Sequence, residues 1–408
     1  MTSNHIRLIG RPQTAIRGAQ AGFTLVELMV AIVISMLIML ALIAVFVNLT
    51  RSNSEMAKTN IQIENGRFAM QLLQEDIVHG GFWGGYVPQF DDQTSYEDPT
   101  ATDALVAGTV PAEVPDPCLD YDPVTWTPRH VGNLLGISIQ SYDTVPTGCA
   151  AVVTNQQPNT DVLVVRHAET CVPGIGNCAG VEAGALYFQV SQCTEEINAG
   201  MHYALDTEPA NLTLKQRSCT GTPPATIGTA AEIRKFVSNL YYIRNFAVTA
   251  GDGIPTLVRS QFDLGSAAAP GHQEAVALIE GIEGFRVELG IDSVSDAGLA
   301  TDYTEKVAWS DPELLISPTN RGDGIPDGAF VRCTGAMSCP VAQLIDVTAV
   351  KLYLVARTRE VTPGYTDNKT YTLGSTTWAP PTGTANYKRH VFSSSVRLVN
   401  VAGRRETP

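Results

Sequence analysis

GFTLVELMVAIVISMLIMLALIAVFV, residues 22–47, decides how the rest of the chain is read. From Leu28 to Val47 nothing more polar than Ser35 interrupts the apolar run. At about 1.5 Å of rise per residue, those positions span roughly 30 Å, the hydrocarbon thickness of a bilayer, so the segment is expected to cross a membrane. Ahead of it, positions 1–22 hold Arg7, Arg11 and Arg17 and no acidic residue; behind it come Arg51, Glu55 and Lys58. The positive excess puts the N-terminus on the cytoplasmic side and everything after the span outward. A cleaved secretory signal would have an apolar core of only about 7 to 15 residues. An ordinary single-span anchor fits the length but leaves Glu27 unexplained, because a carboxylate within apolar surroundings is costly and usually has a partner.

Gly22, Phe23 and Glu27, set ahead of this apolar helix as GFTLVE, resemble the type III signal of type IV pilins and of the related pseudopilins of type II secretion. The resemblance implies that a prepilin peptidase cuts after Gly22 and methylates the new amine of Phe23. It also implies that Glu27 meets a neighbouring subunit's N-terminal amine in a filament core. Further segments narrow the likeness to PilW-type minor pilins: IENGRFAMQLLQEDIVHGGFWG, IPTLVR at 254–259, LIEGIEGFRVELGID at 278–292, the Asp-Gly turn near Asp323, and DVTAVKLYLVART. The region from about 91 to 230 departs from that pattern.

Across its 408 residues the chain is 44% hydrophobic, with 27 basic against 41 acidic residues. Disordered and collagen-like classes are excluded by that composition. Removing the three leader arginines from the 27 leaves 24 basic residues against 41 acidic, a net charge of -17 for the outward part. No basic cluster offsets it, so nucleic acid is not an expected partner.

Helical signal continues past the membrane, with Ile61, Phe68, Ala69, Leu72, Leu73 and Ile77 expected to form one apolar stripe. Gly80 and Gly81 end it. The domain reading is therefore a cleaved leader at 1–22, a long helix at 23–80, and a β-rich head at 81–408 carrying an insertion at about 91–230. The stretch up to Thr127 reads as an irregular surface excursion. Strands are expected at 134–140, 161–167, 185–190, 236–245, 257–264, 285–291, 347–357 and 390–401, and a short helix at 273–281. The fold class is α+β, a long N-terminal helix packed on an antiparallel sheet; no internal repeat is seen.

Cys118, Cys149, Cys171, Cys178, Cys193, Cys219, Cys333 and Cys339 all follow the span. An even count on the outward side points to disulfides. Eight cysteines allow 105 pairings, and short loops favour Cys171 with Cys178 and Cys333 with Cys339. No nucleophile elbow, zincin helix, P-loop or dinucleotide fingerprint occurs, and the histidines are scattered, so neither catalysis nor a cofactor is expected. Asp323 and Asp327 flank a glycine turn that could offer oxygens to calcium. Setting Gly324 on the glycine of an EF-hand loop, however, puts Arg321 and Thr319 where acids belong, which favours a plain Asp-Gly turn.

The expected role is a structural minor pilin that helps start a type IV pilus, with the pilus tip as its place. Implied partners are other minor pilins, major pilin, the prepilin peptidase, the inner-membrane assembly machinery and a large tip adhesin. A minor pseudopilin of type II secretion and a single-span receptor with a ligand-binding head are the alternatives.

Overall fold

Beyond Lys58 the first helix, α1 (Leu25–His79), buries one line of residues, Gln62, Gly66, Ala69, Met70, Leu73 and Ile77. Their spacing of three and four is that of a single helix face. The expected stripe shared Ala69, Leu73 and Ile77, but Ile61 and Phe68 are 54% and 58% exposed. Gly66 is the reason for the difference. A Cβ there would overlap the Phe392 ring, so the missing side chain lets the helix settle on the sheet along the glycine line. The interface is also hydrogen-bonded: Gln62 Nε2 donates to the carbonyls of Ala356 (2.6 Å) and Lys388 (3.1 Å), and Asn65 donates to Glu280 O.

This computed structural model describes residues 22–93, 110–265, 269–336 and 338–406. The expected leader before Gly22, and positions 94–109 of the expected insertion, lie outside the described residues. The chain divides into two units, Met1–Ala57 and Lys58–Pro408, and α1 runs through the boundary.

After α1 come α2 (Pro128–Gly136), β1 (Ile139–Tyr142), β2 (Val162–Ala168), β3 (Tyr187–Val190), α3 (Thr194–Asn198) and β4 (Tyr203–Asp206). The hairpin β5 (Lys215–Thr220) and β6 (Ile227–Ala230) precedes β7 (Ile233–Arg244), β8 (Thr256–Leu264), β9 (Pro270–His272), β10 (Val276–Glu280) and β11 (Ile282–Ile291). The chain continues with β12 (Trp309–Asp311), β13 (Ile316–Pro318), α4 (Val341–Leu344), β14 (Val347–Arg357), β15 (Tyr371–Leu373) and β16 (Thr376–Trp378). It closes on β17 (Arg389–Arg397) and α5 (Val399–Arg405). All pairings between these strands are antiparallel. β7 is the hub of the larger sheet, pairing with β2, β3 and β8, while β14 stands between β11 and β17 in a second sheet.

Alternation along β14 sorts its side chains. Val350, Leu352, Leu354 and Ala356 join α1's Leu73 and Ile77 in the main core, whereas Tyr353 and Val355 face Leu373 and Trp378 of the β15–β16 pair. In the larger sheet, Leu163, Val165, Tyr241 and Ile243 face that same core. Val162, Val164, Leu240 and Tyr242 face the insertion. Fully burying one side chain such as Leu73 stabilises by about 1.5 to 3 kcal/mol, so the α1 line is a substantial fastening.

Four expectations are corrected. Leu134 and Leu135 lie in α2, not in a strand, because Thr127 caps a helix with Pro128 at its first position. Residues 276–280 form a strand paired to β8 rather than a helix. β17 stops at Arg397, and the residues from Val399 onward are helical. Finally, 110–127 is no loose excursion, since Tyr121 and Trp126 pack with Trp83, Phe188, Phe236 and Phe262 in a second core.

The insertion side and the C-terminal end meet in a buried charge cluster. Arg405, wholly buried, donates to Asp91 (2.8 Å), Asp292 (3.1 Å), Asp346 (3.0 Å) and the Ile345 carbonyl (2.8 Å). Arg404 reinforces Asp91, and the Tyr303 hydroxyl donates to Asp346. Three carboxylates share one enclosed guanidinium. Burial therefore outweighs Arg405's attraction at Asp346, whose carboxyl is pushed up to about 6.

Candidate functional site

Thr24 and Glu27 close the first turn of α1 on each other. Thr24 Oγ1 accepts from the Glu27 N–H (3.2 Å), and Glu27 Oε2 accepts from both the N–H and the hydroxyl of Thr24 (2.9 Å each). This is a capping box, Thr-x-x-Glu, legible in the sequence but passed over in favour of Glu27's charge. Gly22 and Phe23 stand just ahead of it, Phe23 being 89% exposed. From Leu25 to Val47 the apolar side chains are all exposed, and the most apolar 18-residue window of the helix has a mean hydropathy of 3.2 with none of it buried. Glu27 is the only charged residue between Phe23 and Thr50. Such a surface is stable only in lipid or against other apolar helices.

In the head, disulfides join Cys118 to Cys149, Cys171 to Cys178, Cys193 to Cys219 and Cys333 to Cys339. Two of the four are the short-loop pairs that spacing favours. Asp116 beside Cys118 and Cys149, and Glu195 beside Cys193 and Cys219, bring metal-type ligands together, but the sulfurs are spent in disulfide bonds.

Asp323 and Asp327 serve the backbone. Asp323 accepts from the Ile325 N–H (2.8 Å) and Asp327 from the Val294 N–H (2.7 Å); neither joins a cluster of three ligands among the described residues. The sequence reading missed that GDGIP occurs twice, at 251–255 and 322–326. Both copies bend the same way, with the aspartate accepting from the isoleucine N–H two residues on and the second glycine at positive φ. In the first copy slight burial opposes ionisation. The N–H groups of Ile254, Val248, Ala247 and Thr249 prevail and hold Asp252 down to about 2. The repeat is a turn device.

Two of the described histidines, His167 and His272, have defined partners. His167 Nε2 meets Asp76 at 3.0 Å, while Asn239 also donates to Asp76, clamping the end of α1 to the sheet. Burial disfavours charging His167, but the Asp76 hydrogen bond and charge outweigh it and raise its pKa. His272 touches Ser260 (3.1 Å), a serine–histidine contact. Burial, with Arg166 nearby, holds that imidazole down to about 3, too weak a base to activate a hydroxyl at neutral pH.

Residues 17–43 match the prokaryotic N-terminal methylation motif, and residues 240–400 match the family described as Type IV Pilus-assembly protein W. A type IV-like pilin from Thermus thermophilus is similar at 14% identity, over 61% of this chain and 81% of its own, with a TM-score of 0.25. No curated protein matches the chain. Glu27 with its exposed apolar helix falls in the first match, and the β11–β14–β17 sheet that receives α1 falls in the second. With the methylation motif at one end and the pilus-assembly W region at the other, the chain is similar to PilW-like type IV pilins.

Proposed function

We propose that the chain is a structural minor pilin that helps initiate a type IV pilus and resides at or near its tip. It waits in the inner membrane with its head outward, is cut between Gly22 and Phe23 by prepilin peptidase and methylated at Phe23, then enters the filament through α1. Its neighbours are other minor pilins and major pilin, delivered by the inner-membrane assembly machinery, and a large tip adhesin is a further candidate partner. The observation that carries this reading is the exposed apolar stretch of α1 from Leu25 to Val47, whose one charge, Glu27, stands at its start. That surface suits lipid first and a bundle of like helices afterwards.

The test compares Glu27→Val and Glu27→Gln in sheared pili, normalised to the membrane pool, with the N-terminal peptide read by mass spectrometry. Gln retains the capping box but not the charge. Both variants should be processed normally and incorporated poorly. Wild-type incorporation of Glu27→Gln would reduce Glu27 to a helix cap, and Met1 retained on the protein beside an active peptidase would overturn the pilin reading. Few copies per filament, found with major pilin, are expected; copurification with secretion components alone would instead favour a pseudopilin.

A further inference from the structure

A cavity of about 460 Å³ opens between the segment following α1, one side of α2, and β4 with the turn before it. Every lining residue falls between 86 and 205, outside both family matches, so the pocket belongs to what this chain adds to the PilW pattern. Its size is that of a site for a small molecule or a few residues of peptide.

The lining chemistry is narrow. Tyr86, Trp126 and Tyr203 supply rings, with aliphatic side chains between them, and no Asp or Glu is present among the described residues. The remaining polar side chains are Gln89, Arg129 and His202. Trp126 Nε1 is already spent on the Asp120 carbonyl. Gln89 Nε2 lies 2.6 Å from His202 Nε2, while Gln89 Oε1 is buried without a partner. Turning the amide over only exchanges which end is unpaired. Arg129 is exposed, has no carboxylate within 4.0 Å among the described residues, and sits in the first turn of α2, which holds no acidic residue. Thr127 caps the N–H groups of that turn, so its positive charge rests on the Arg129 guanidinium. A bound cation would need a carboxylate, which the described lining does not supply.

We propose that this pocket receives one bulky apolar side chain of an extended peptide segment from another protein. The side chain lies among the three rings, and a carboxylate beside it rests against Arg129 and the start of α2. The carboxylate can be a C-terminus or an acidic side chain, which share this chemistry. Binding here does not depend on the filament reading, because it is measured on isolated protein.

The test uses the full chain in lipid nanodiscs, titrated calorimetrically with acetyl-Gly-Phe as free acid, its C-terminal amide, acetyl-Glu-Phe-amide and methyl glucoside. The free acid is expected to bind at least about tenfold more tightly than the neutral amide, the gain of one charge-assisted contact. Tight binding of acetyl-Glu-Phe-amide would assign the carboxylate to a side chain, and weak binding would assign it to a C-terminus. Arg129→Glu, on the surface, should erase the difference between acid and amide while leaving the melting temperature unchanged. Met201→Trp, filling the cavity, should abolish binding of both; if it fails to fold, Arg129→Glu alone decides. Equal binding of acid and amide, insensitivity to Arg129→Glu, or preference for the glucoside overturns the proposal.

Discussion

Replacing Arg405 by Met keeps an unbranched apolar stem and deletes the charge at the centre of the buried cluster. Its three carboxylate partners are each at most 2% exposed at the side chain. Breaking one buried pair costs about 3 to 5 kcal/mol, but three such losses do not simply add. Asp91 keeps Arg404, and Asp292 keeps the N–H groups of Asp323 and Gly324. Asp346, already pushed up to about 6, can take up a proton, at roughly 1.4 kcal/mol per pH unit above its pKa. The net loss at pH 7.5 is therefore set at about 3 to 5 kcal/mol, a large share of the 5 to 15 typical of a domain. Without Arg405, the folded pKa values of Asp346 and Asp292 rise further above their unfolded ones. Stability from such groups is fully present below the unfolded pKa and lost as pH rises through the folded one. The defect should shrink between pH 7.5 and 5.5. Urea denaturation of the full chain in nanodiscs, followed by tryptophan fluorescence, measures both quantities. A loss below about 1 kcal/mol at pH 7.5, or a defect that grows on acidification, would refute the reasoning.

Gly66→Ala should destabilise by about 1 to 3 kcal/mol by overpacking against Phe392, despite alanine's better helix propensity, and most of that loss should vanish in a Phe392→Ala background. A double-mutant cycle reads it, and additive losses would exclude the contact. The Asp76–His167 clamp should stabilise most below His167's unfolded pKa and fade as pH rises through its raised folded value. The stability difference between wild type and His167→Gln should accordingly narrow from pH 6 to pH 8.5, and a constant difference would contradict the assignment. Alkylation of the unreduced, denatured chain should label almost no cysteine, consistent with the four disulfides. Four or more reactive thiols would contradict them.

The membrane helix and the main strands were legible because each depends on a local pattern. β14 announces itself by its Val, Leu and Tyr content and the α1 span by an apolar run interrupted by nothing more polar than Ser35, and the two short disulfide loops follow from spacing. Ile61 and Phe68 misled because a helix face is fixed by its partner, and Gly66 has no side chain with which to advertise that Phe392 fills its place. Residues 276–280 alternate too weakly to reveal a strand that exists through pairing with β8. The Arg405 cluster was invisible for another reason: Asp91, Asp292, Asp346 and Arg405 are ordinary surface residues until topology encloses them together. At the N-terminus, Gly22, Phe23 and Glu27 were conspicuous, whereas the Thr24 cap required asking where the helix's first N–H groups go.

The same cluster sets a clock on biosynthesis. Asp91 and Arg405 are 314 positions apart. At about 5 to 20 residues per second, Asp91 leaves the ribosome on the order of 15 to 60 s before its counter-ion exists. Until then Asp91, Asp292 and Asp346 lack this shared partner, and enclosing them costs the nascent head the stability that Arg405→Met is expected to remove. The closing of the cluster therefore belongs to the last stage of synthesis, when α5 arrives.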